Sequence, residues 1–280
     1  GNIRALFVTG GNPLTAFPQP DRLRAALARL DVLAVIDVAE NDLTDLATHV
    51  LPATGQLERA DLTLAEPTAL RAGLQATRAV VQPSGDRRPV WWMFAKLDEA
   101  MGRPAPALEL TDELYLRGLL GRARLEADAV FAAGPRGIDA GAEYGWVRES
   151  FLRDGTWTIA PAPMLARLAA WNDPHFERTR LAPRREMARS NSMTYGAGDP
   201  GPVVRMHPEI APAAGVVTLT TPNGSITAAF AADANVRPDV VSVTHGIPTE
   251  NPGMLTSADD DIDPLTAMPR VAGLPVRVES

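Results

Sequence analysis

Apolar and polar positions follow one pattern in the first part of the chain and another in the last part. From residue 1 to about 125, continuous apolar runs alternate with stretches of helical period. The runs predict three strands, Ile3–Val8, Val32–Val38 and His49–Ala53, and the helical stretches predict two helices, Asp21–Leu30 and Pro89–Met101. Strands that alternate with helices are typical of a parallel sheet covered on both faces. We therefore predict an α/β parallel-sheet domain over residues 1–125.

A connecting region follows this domain. The helical pattern Thr111–Ala133 leads into it, with Thr111 suited to the N-cap, and the turn-rich stretch Gly134–Gly145 comes next. A short helix is predicted near Pro163–Trp171. We predict that residues 126–184 form a helical and irregular connection.

From about residue 185 the hydrophobic period changes to two. Short strands separated by Pro, Gly and Asn are predicted at Val203–Met206, Val216–Thr221, Ser225–Ala231, Val240–Thr244 and Leu274–Val278. Pro222-Asn223-Gly224 predicts a hairpin, because Asn-Gly tolerates the positive φ angles of such turns. Many short strands with turns between them indicate a small sandwich or barrel, and we predict a separate all-β domain over residues 185–280.

Composition excludes several classes of function. The 280 residues carry a formal net charge of −7, which argues against a nucleic-acid surface. No apolar run approaches the roughly 18–20 residues that cross a bilayer, and no secretory leader is recognisable. We therefore predict no membrane insertion and a cytoplasmic location. The absence of cysteine excludes disulfides, thiolate metal ligands, iron–sulfur ligation and a cysteine nucleophile within these residues.

The turn Gly10-Gly11-Asn12-Pro13 directly follows the first predicted strand. Such a turn presents backbone N–H groups at the carboxyl end of a sheet, where α/β folds hold phosphates and nucleotides. The same residues are also ordinary turn formers, so the turn alone leaves both interpretations open. The histidines are scattered, and the acidic stretch Asp259–Asp261 lacks the glycine and distal glutamate of a helix–loop–helix calcium site, so we predict no metal ligands.

A series of short sequence phrases runs through both predicted domains in a fixed order. In the first half they are Ile3–Pro18, Leu30–Ala53, Glu58 and Trp91-Trp92. In the second half they are Arg184–Ser192, Met206–Glu209, His245-Gly246, Asn251–Thr256, Asp263–Thr266 and Gly273–Glu279. In this order and spacing they resemble the C-terminal half of the molybdopterin-dependent oxidoreductases, the family of formate dehydrogenases, nitrate reductases and dimethyl sulfoxide reductases.

The resemblance implies a fold and a cofactor. The fold is a Rossmann-like parallel-sheet domain followed by an all-β double-psi barrel. The cofactor is the molybdenum-containing molybdopterin guanine dinucleotide, usually bound as two copies (bis-MGD). The chain is then the C-terminal cofactor-binding portion of a molybdenum-dependent oxidoreductase, and it contributes contacts to the guanine dinucleotide and the pterin.

The resemblance also implies roles for particular residues. Gly11 and Asn12 match a guanosine-contacting loop, and Asp37 matches an acidic position at the end of a strand. The matching residues of the second domain approach the phosphates or close over the pterin, and they are Arg185, Glu186, Asn191, Ser192, His245, Gly246 and Asn251. Backbone amides, an arginine and amide side chains suit a diphosphate and a base rich in donors and acceptors.

Three features depart from the family pattern. Asp42-Leu43 and Ala47-Thr48 replace a Glu-Thr and an Ala-Asp, and the barrel segment Pro208–Val217 is shorter than usual. Val90 replaces an acid that accepts from the guanine amino group, so a charge-assisted hydrogen bond is lost. These departures fit divergence in a cofactor-binding protein or a chain that no longer binds.

The resemblance places the iron–sulfur cysteines and the molybdenum ligand in upstream domains. The chain begins at Gly1 and not at Met, so we expect it to be part of a longer protein. On its own it should hold no catalytic residue and no cofactor. Its expected partners are the N-terminal iron–sulfur and molybdenum-ligand domains and an electron-transfer partner.

Two alternatives remain. A non-catalytic structural module of the same fold, which has lost the cofactor, is favoured by Val90, Thr48 and the short barrel segment, and opposed by Asn191-Ser192 and Asn251. An independent nicotinamide-binding domain is disfavoured, because no G-x-G-x-x-G follows the first strand.

Overall fold

The fold is described from a computed structural model that covers residues 2–63, 73–139, 152, 156–170, 179–186, 202–213, 215–260, 262–263 and 266–279. These residues form two compact units. The first unit comprises Gly1–Val35, Ala39–Val50 and Ala160–Ser280, and the second comprises Ile36–Val38 and Leu51–Ile159. Within the described ranges, no helix combines the length and apolar character required to cross a membrane.

A three-stranded parallel sheet opens the chain. Its strands are β1 (Ala5–Thr9), β2 (Val32–Asp37) and β3 (His49–Pro52), in the order β1-β2-β3. Two helices, α1 (Pro13–Ala16) and α2 (Pro20–Leu27), connect β1 to β2, and a 3₁₀ helix, Thr44–Leu46, connects β2 to β3. The middle strand is buried because apolar groups cover both its faces, as parallel sheets require. One face packs in a cluster of leucines and valine: Leu14, Leu27, Leu33, Val35 and Leu43.

Three helices and two short strand pairs make up most of the second unit. The strand pairs are β4 (Asp61–Leu62) with β6 (Ala76–Thr77) and β5 (Gly73–Leu74) with β7 (Ile138–Asp139). The helices are α3 (Val90–Ala100), α4 (Asp112–Arg122) and α5 (Ala127–Ala132). Two apolar clusters hold this unit together, one of Ile36, Ala53 and Met93, the other of Leu74, Ala76, Leu120, Val130 and Phe131.

A curled six-stranded sheet follows the helix α6 (Ala162–Ala170). Its strands are β8 (Arg180–Arg184), β9 (Val204–Met206), β10 (Val216–Thr221), β11 (Gly224–Ala232), β12 (Val240–Thr244) and β13 (Arg277–Glu279), in the order β13-β10-β11-β9-β12-β8. The pairs β8/β12 and β9/β11 are parallel, and the other pairs are antiparallel.

The edge strand β8 is bonded to the segment that leads into β13. Leu181 N donates to Leu274 O (2.9 Å), and Gly273 N donates to Leu181 O (2.8 Å). The sheet therefore curls back on itself around an apolar interior. Side chains in that interior alternate along the strands and include Val204, Met206, Val217, Leu219, Val241 and Val243.

The structure confirms the coarse prediction of an α/β part with a parallel sheet followed by a β-sheet part. The strands predicted near residues 5, 34 and 50 and the helices predicted near 24 and 95 are present within a few residues of their predicted ends. The short helix predicted at Pro163–Trp171 is α6. The predicted β10–β11 hairpin is also present, with Thr221 opposite Gly224.

One predicted element is wrong in detail, and one strand of the structure was not predicted. The single helix predicted over Thr111–Ala133 is two helices, because Arg124 adopts a left-handed φ of +57° and Leu125 N turns back to donate to Leu120 O (2.9 Å), which ends α4. The strand β8 was not predicted at all. Only Leu181 in it is fully buried and Pro183 interrupts it, so it carries no alternating apolar pattern.

The reason given for the hairpin is also corrected. Neither Asn223 nor Gly224 has a positive φ. Glycine is required at 224 because a Cβ there would lie 2.5 Å from the carbonyl oxygen of Met254. The constraint is close backbone approach and not turn conformation.

Candidate functional site

The turn between β1 and α1 has the open backbone that the sequence predicted. Gly10 has a φ of +60°, which residues with a Cβ rarely adopt. A Cβ on Gly10 or Gly11 would meet nothing within 4 Å, so the space beside both residues is open. Backbone N–H groups at such a strand end can bind an anion or the edge of a base.

Asn12 shapes this turn from inside the protein. It is only 4% exposed, and its Oδ1 accepts from Leu14 N (3.1 Å), which caps α1. Its Nδ2 donates to Asp42 Oδ1 (2.5 Å), and Asp42 lies 3.4 Å from Arg24 Nη2. Both polar atoms of the Asn12 side chain therefore bond to protein groups. The open backbone of the turn belongs to Gly10 and Gly11.

A second group of predicted residues lies where β8 and β12 end. These strands are parallel, with Arg184 opposite Thr244, so the residues that follow them emerge at the same end of the sheet. His245 N donates to Arg184 O (2.8 Å), which joins the two exits. Together with one arginine of the neighbouring strand β9, these residues form what we term the strand-end cluster: Arg184, Arg185, Glu186, Arg205, His245 and Gly246.

Glu186 organises the arginines of the strand-end cluster. Its Oε1 accepts from Arg184 Nε (2.7 Å) and Thr244 Oγ1 (3.3 Å), and lies 3.9 Å from Arg205 Nη2. Burial raises the pKa of Glu186, but the hydrogen bond and charge of Arg184, with Arg205 and Thr244, outweigh burial and hold this pKa below its usual range. Glu186 is therefore ionised at neutral pH and orients two guanidinium groups.

Arg205 has an unsatisfied donor. Its Nη1 lies 3.5 Å from Asp233 Oδ2, but its Nε is buried and has no hydrogen-bond partner within the part of the chain that the structure describes. An unpaired buried N–H is unfavourable, so an acceptor brought to it would gain binding energy. With the exposed Arg185, the arginines outnumber the carboxylates of Glu186 and Asp233, and this excess positive charge suits an anion.

His245 is held in its neutral form. Burial lowers its pKa, and the positive charge of Arg185 lowers it further. A neutral imidazole offers one hydrogen-bond donor and one acceptor. The ring borders a small cavity of about 20 Å³, together with Phe17, Pro18 and Pro252.

Asn251 is buried between two elements. It is 2% exposed, and its Oδ1 accepts from Gly253 N (2.8 Å), which caps the 3₁₀ helix Pro252–Leu255. Its Nδ2 donates to the carbonyl oxygen of Leu14 in α1 (2.7 Å). As with Asn12, both polar atoms of the side chain bond to protein groups.

Asn251 lines a larger cleft of about 360 Å³. Its lining carries three carboxylates, from Asp21, Asp42 and Glu250, and one guanidinium, from Arg24. This balance of charge does not suit a phosphate group. The remaining lining residues are Leu14, Pro20, Ser225, Ile226, Thr227, Pro248, Thr249, Asn251 and Met254.

The structure places the predicted site residues in different ways. It brings four of them together in the strand-end cluster: Arg185, Glu186, His245 and Gly246. Asp37 lies at the end of β2 in the second unit, where its carboxylate accepts from Val38 N (2.7 Å). Asn191 and Ser192 lie outside the described residues. Among the residues that are described, no group of three or more histidine or acidic side chains is placed to hold a metal ion.

Sequence reasoning missed two residues that shape these sites. Arg205 had a usable signal, because it is a lone arginine between the apolar Val204 and Met206 of a strand. Asp42 was noted only as a replacement for the family's Glu, and its bond to Asn12 was not predicted because it joins residues 30 positions apart.

Two family models match the chain. The model of the molybdopterin oxidoreductases matches residues 1–100, and the model of the molydopterin dinucleotide binding domain matches residues 182–275. Together they cover more than half of the chain, and the second covers most of the curled sheet and the strand-end cluster.

Individual relatives match a smaller part. The F420-dependent formate dehydrogenase subunit alpha of Methanocaldococcus jannaschii is 34% identical over 101 residues, which are 36% of this chain and 14% of that protein. A nitrate reductase of Klebsiella oxytoca is 28% identical over 103 residues, which are 36% of this chain and 11% of that protein. Each match therefore spans only a small part of the relative's own length.

A solved structure is similar over almost the whole chain. Acetylene hydratase from Pelobacter acetylenicus superposes with a TM-score of 0.70 at 19% identity, covering 99% of this chain and 44% of that protein. At this identity the likeness establishes the fold, and the chain spans less than half of that protein.

Proposed function

The chain belongs to the molybdopterin oxidoreductase family, and on this premise we propose that it is the C-terminal cofactor-binding portion of a molybdenum-dependent oxidoreductase. The proposed cofactor is molybdopterin guanine dinucleotide, bound in the parent protein as two copies. In this proposal the curled sheet is the family's double-psi barrel. The observation that carries the proposal is the strand-end cluster, where an excess of arginine surrounds an unpaired buried donor.

The described residues fit such a cofactor. A diphosphate needs cationic donors, and the strand-end cluster supplies the exposed Arg185 and the unsatisfied Nε of Arg205. A guanosine or pterin edge needs backbone groups in open space, and Gly10 and Gly11 supply them. The chemistry of both donor sets matches the group that the family binds.

Each residue then has a defined task. Gly11 donates backbone N–H to the cofactor, and Asn12 keeps the turn in shape through α1 and Asp42. Arg185 and Arg205 bind negative charge, while Glu186 keeps Arg184 and Arg205 oriented. His245, held neutral, and the backbone of Gly246 offer hydrogen bonds to the pterin. Asp37, Asn191 and Ser192 are assigned to the cofactor from the resemblance alone.

When bound, the molybdenum cofactor supplies two-electron redox chemistry. The tasks of this chain are to bind and orient it, so we assign no catalytic residue to the chain. The cysteine ligands of the iron–sulfur clusters and the molybdenum ligand would come from N-terminal domains. Electrons would pass to a separate electron-transfer partner. A cytoplasmic location and the absence of nucleic-acid contacts remain predictions.

A second candidate function is a structural module that has lost the cofactor. The observation that favours it is Val90, which occupies the position of the family's guanine-binding acid and packs against the apolar cluster of Ile36, Ala53 and Met93. An apolar residue in that position offers guanine no charged acceptor.

Titration with inorganic pyrophosphate tests the anion site without the rest of the cofactor. In the full chain, Arg205→Gln should weaken binding about tenfold, since a hydrogen bond to a charged group contributes about 1.5–3 kcal/mol and part of this side chain is solvated. The matched control is Arg277→Gln, another sheet arginine paired with a nearby glutamate at 3.1 Å, which should leave binding unchanged. Equal effects of the two variants, or no binding by the wild type, would contradict the proposal.

A further inference from the structure

The 3₁₀ helix Pro252–Leu255 and its N-cap Asn251 are hydrogen-bonded to α1 and to the residues that follow it, at the other end of the chain. Asn251 Nδ2 donates to Leu14 O (2.7 Å), and Gln19 N, just after α1, donates to Gly253 O (2.9 Å). A Cβ on Gly253 would lie 2.6 Å from the carbonyl oxygen of Phe17, so the two backbones are in close contact. We refer to these contacts of Asn251 and Gly253 as the clasp.

The clasp is anchored on the sheet side. Thr221 Oγ1 donates to Leu255 O (2.8 Å), and Asn223 Nδ2 lies 3.4 Å from the same oxygen. The close approach of Gly224 to Met254 O fixes the 3₁₀ helix against the β10–β11 hairpin. The sheet therefore holds this helix, and this helix holds α1.

The clasp acts on the Gly10–Asn12 turn through α1. This helix has only four residues, too few to be stable alone, so external contacts must set its position. Leu14 is bonded on one side to Asn251 through its carbonyl oxygen and on the other to Asn12 through its N–H. Two buried asparagines thus share Leu14 and connect the sheet to the turn.

We propose that Asn251 is a positioning residue, which fixes the Gly10–Asn12 turn through α1 and does not contact the cofactor. The ligand part of this inference rests on the proposed function, whereas the mechanical part does not. The sequence matched Asn251 to a loop that closes over the pterin. Its two bonded side-chain atoms and its 2% exposure instead give it a role one step away from the ligand.

The substitution Asn251→Asp separates the two hydrogen bonds of this side chain, one to Gly253 N and one to Leu14 O. An aspartate keeps the acceptor for Gly253 N, but at neutral pH it sets a carboxylate oxygen against Leu14 O and breaks the clasp. Three carboxylates line the adjoining cleft, those of Asp21, Asp42 and Glu250. Together with burial they should raise the pKa of the introduced acid, and they outnumber the one opposing positive charge, that of Arg24. The protonated form of the introduced acid donates an O–H to Leu14 O, so mild acid should restore the clasp.

Hydrogen exchange and a nucleotide titration provide the readouts in the full chain. The hydrogen-exchange rate of the Gln19 amide, which donates to Gly253 O, measures whether the clasp is closed. The chemical shifts of the Gly10 and Gly11 amides during titration with GDP measure binding at the turn. In Asn251→Asp at pH 7 we expect Gln19 to exchange at least tenfold faster and GDP to bind about tenfold more weakly. Both changes should shrink at pH 5.

The matched control is Asn223→Asp, the same chemical change on the sheet side of the same 3₁₀ helix. Thr221 Oγ1 still donates to Leu255 O (2.8 Å) in this variant, so Gln19 exchange and GDP binding should change much less than in Asn251→Asp at both pH values. If Asn251→Asp does not fold, Gly253→Ala takes its place, because its Cβ would lie 2.6 Å from Phe17 O and 3.0 Å from Asn251 Oδ1 and would push α1 and the 3₁₀ helix apart without adding a charge. Gly253→Ala should also speed Gln19 exchange.

The outcomes separate this inference from the proposed function. If GDP does not shift the Gly10 and Gly11 amides of the wild-type protein, the proposed function is contradicted. The exchange of the Gln19 amide would then still test the clasp. Unchanged Gln19 exchange in Asn251→Asp and Gly253→Ala would overturn the inference. Faster Gln19 exchange with unchanged GDP affinity would show that Asn251 does not position the turn.

Discussion

Glu186 and His245 make the strand-end cluster sensitive to acid in two separate pH ranges. The folded protein lowers the pKa of His245, so stability is lost as pH falls through the ordinary histidine value near 6.5, where the unfolded chain takes up the proton first. It also lowers the pKa of Glu186, whose contribution is present above the ordinary value of 4.5 and is lost as pH falls below it.

Thermal unfolding as a function of pH checks this assignment. His245→Gln should flatten the dependence between about pH 7 and 5, and Glu186→Gln should flatten it below about pH 4.5. A profile in which the two variants change the same pH range would contradict the separate roles.

Val90 tests the guanine contact at a single position. Val90→Asp should strengthen GDP binding by up to about 1.5–3 kcal/mol, the contribution of a charged hydrogen bond, and should not strengthen ADP binding. The fold should tolerate it, because Val90 is the first residue of α3 and a carboxylate there gains about 0.3–1 kcal/mol from the helix dipole while some packing is lost. The control is Val90→Thr, close in shape but uncharged. Equal gains for GDP and ADP would show that position 90 does not read guanine.

Individual residues show which features of the site could be predicted from local sequence and which could not. Gly10 and Gly11 were predicted from the strand before them, because a turn of this kind depends on local conformation. Asn12 and Asn251 were assigned to the cofactor from the family resemblance, and their burial was not predicted, because their partners Asp42 and Leu14 are distant in sequence and leave no local pattern. Thr48 is similar, since its hydroxyl bonds to both the N–H and the carbonyl oxygen of Leu33 (2.9 and 3.0 Å).

Within one strand, the alternation of side chains should decide the effect of a substitution. Leu219 in β10 is fully buried, so Leu219→Ala should lower the free energy of unfolding by about 2–5 kcal/mol. Val216 in the same strand is 50% exposed, and Val216→Ala should lower it by less than about 1 kcal/mol. Chemical denaturation of the two variants measures both values, and similar losses would contradict the described register.

The same alternation explains which elements were predictable. The strand β10 buries every second side chain and β12 does so as far as Val243, and both were found from their period. The strand β8 has a single fully buried apolar residue and a proline, and it pairs with β12 through backbone groups that no pattern of side chains reveals. The break between α4 and α5 depends on a left-handed arginine, a conformation for which the sequence carries no glycine signal.

For the whole molecule, the order of motifs was more informative than any one of them. Each phrase is short, but their order along two predicted domains indicated the family, which the two family models confirm at both ends of the chain. The grouping of residues before 50 with those after 160 in one compact unit was not predicted. It depends on contacts such as the clasp, whose partners lie at opposite ends of the sequence.

The central claim is that this chain binds a guanine dinucleotide cofactor, and titration of the full chain with GDP and with NAD tests it most directly. With GDP, the amides of Gly10 and Gly11 should shift with a dissociation constant of roughly 0.1–1 mM, or about 4–5.5 kcal/mol, because other contacts to the cofactor come from other domains. NAD should leave them unchanged. Micromolar binding of NAD in preference to GDP would contradict the account.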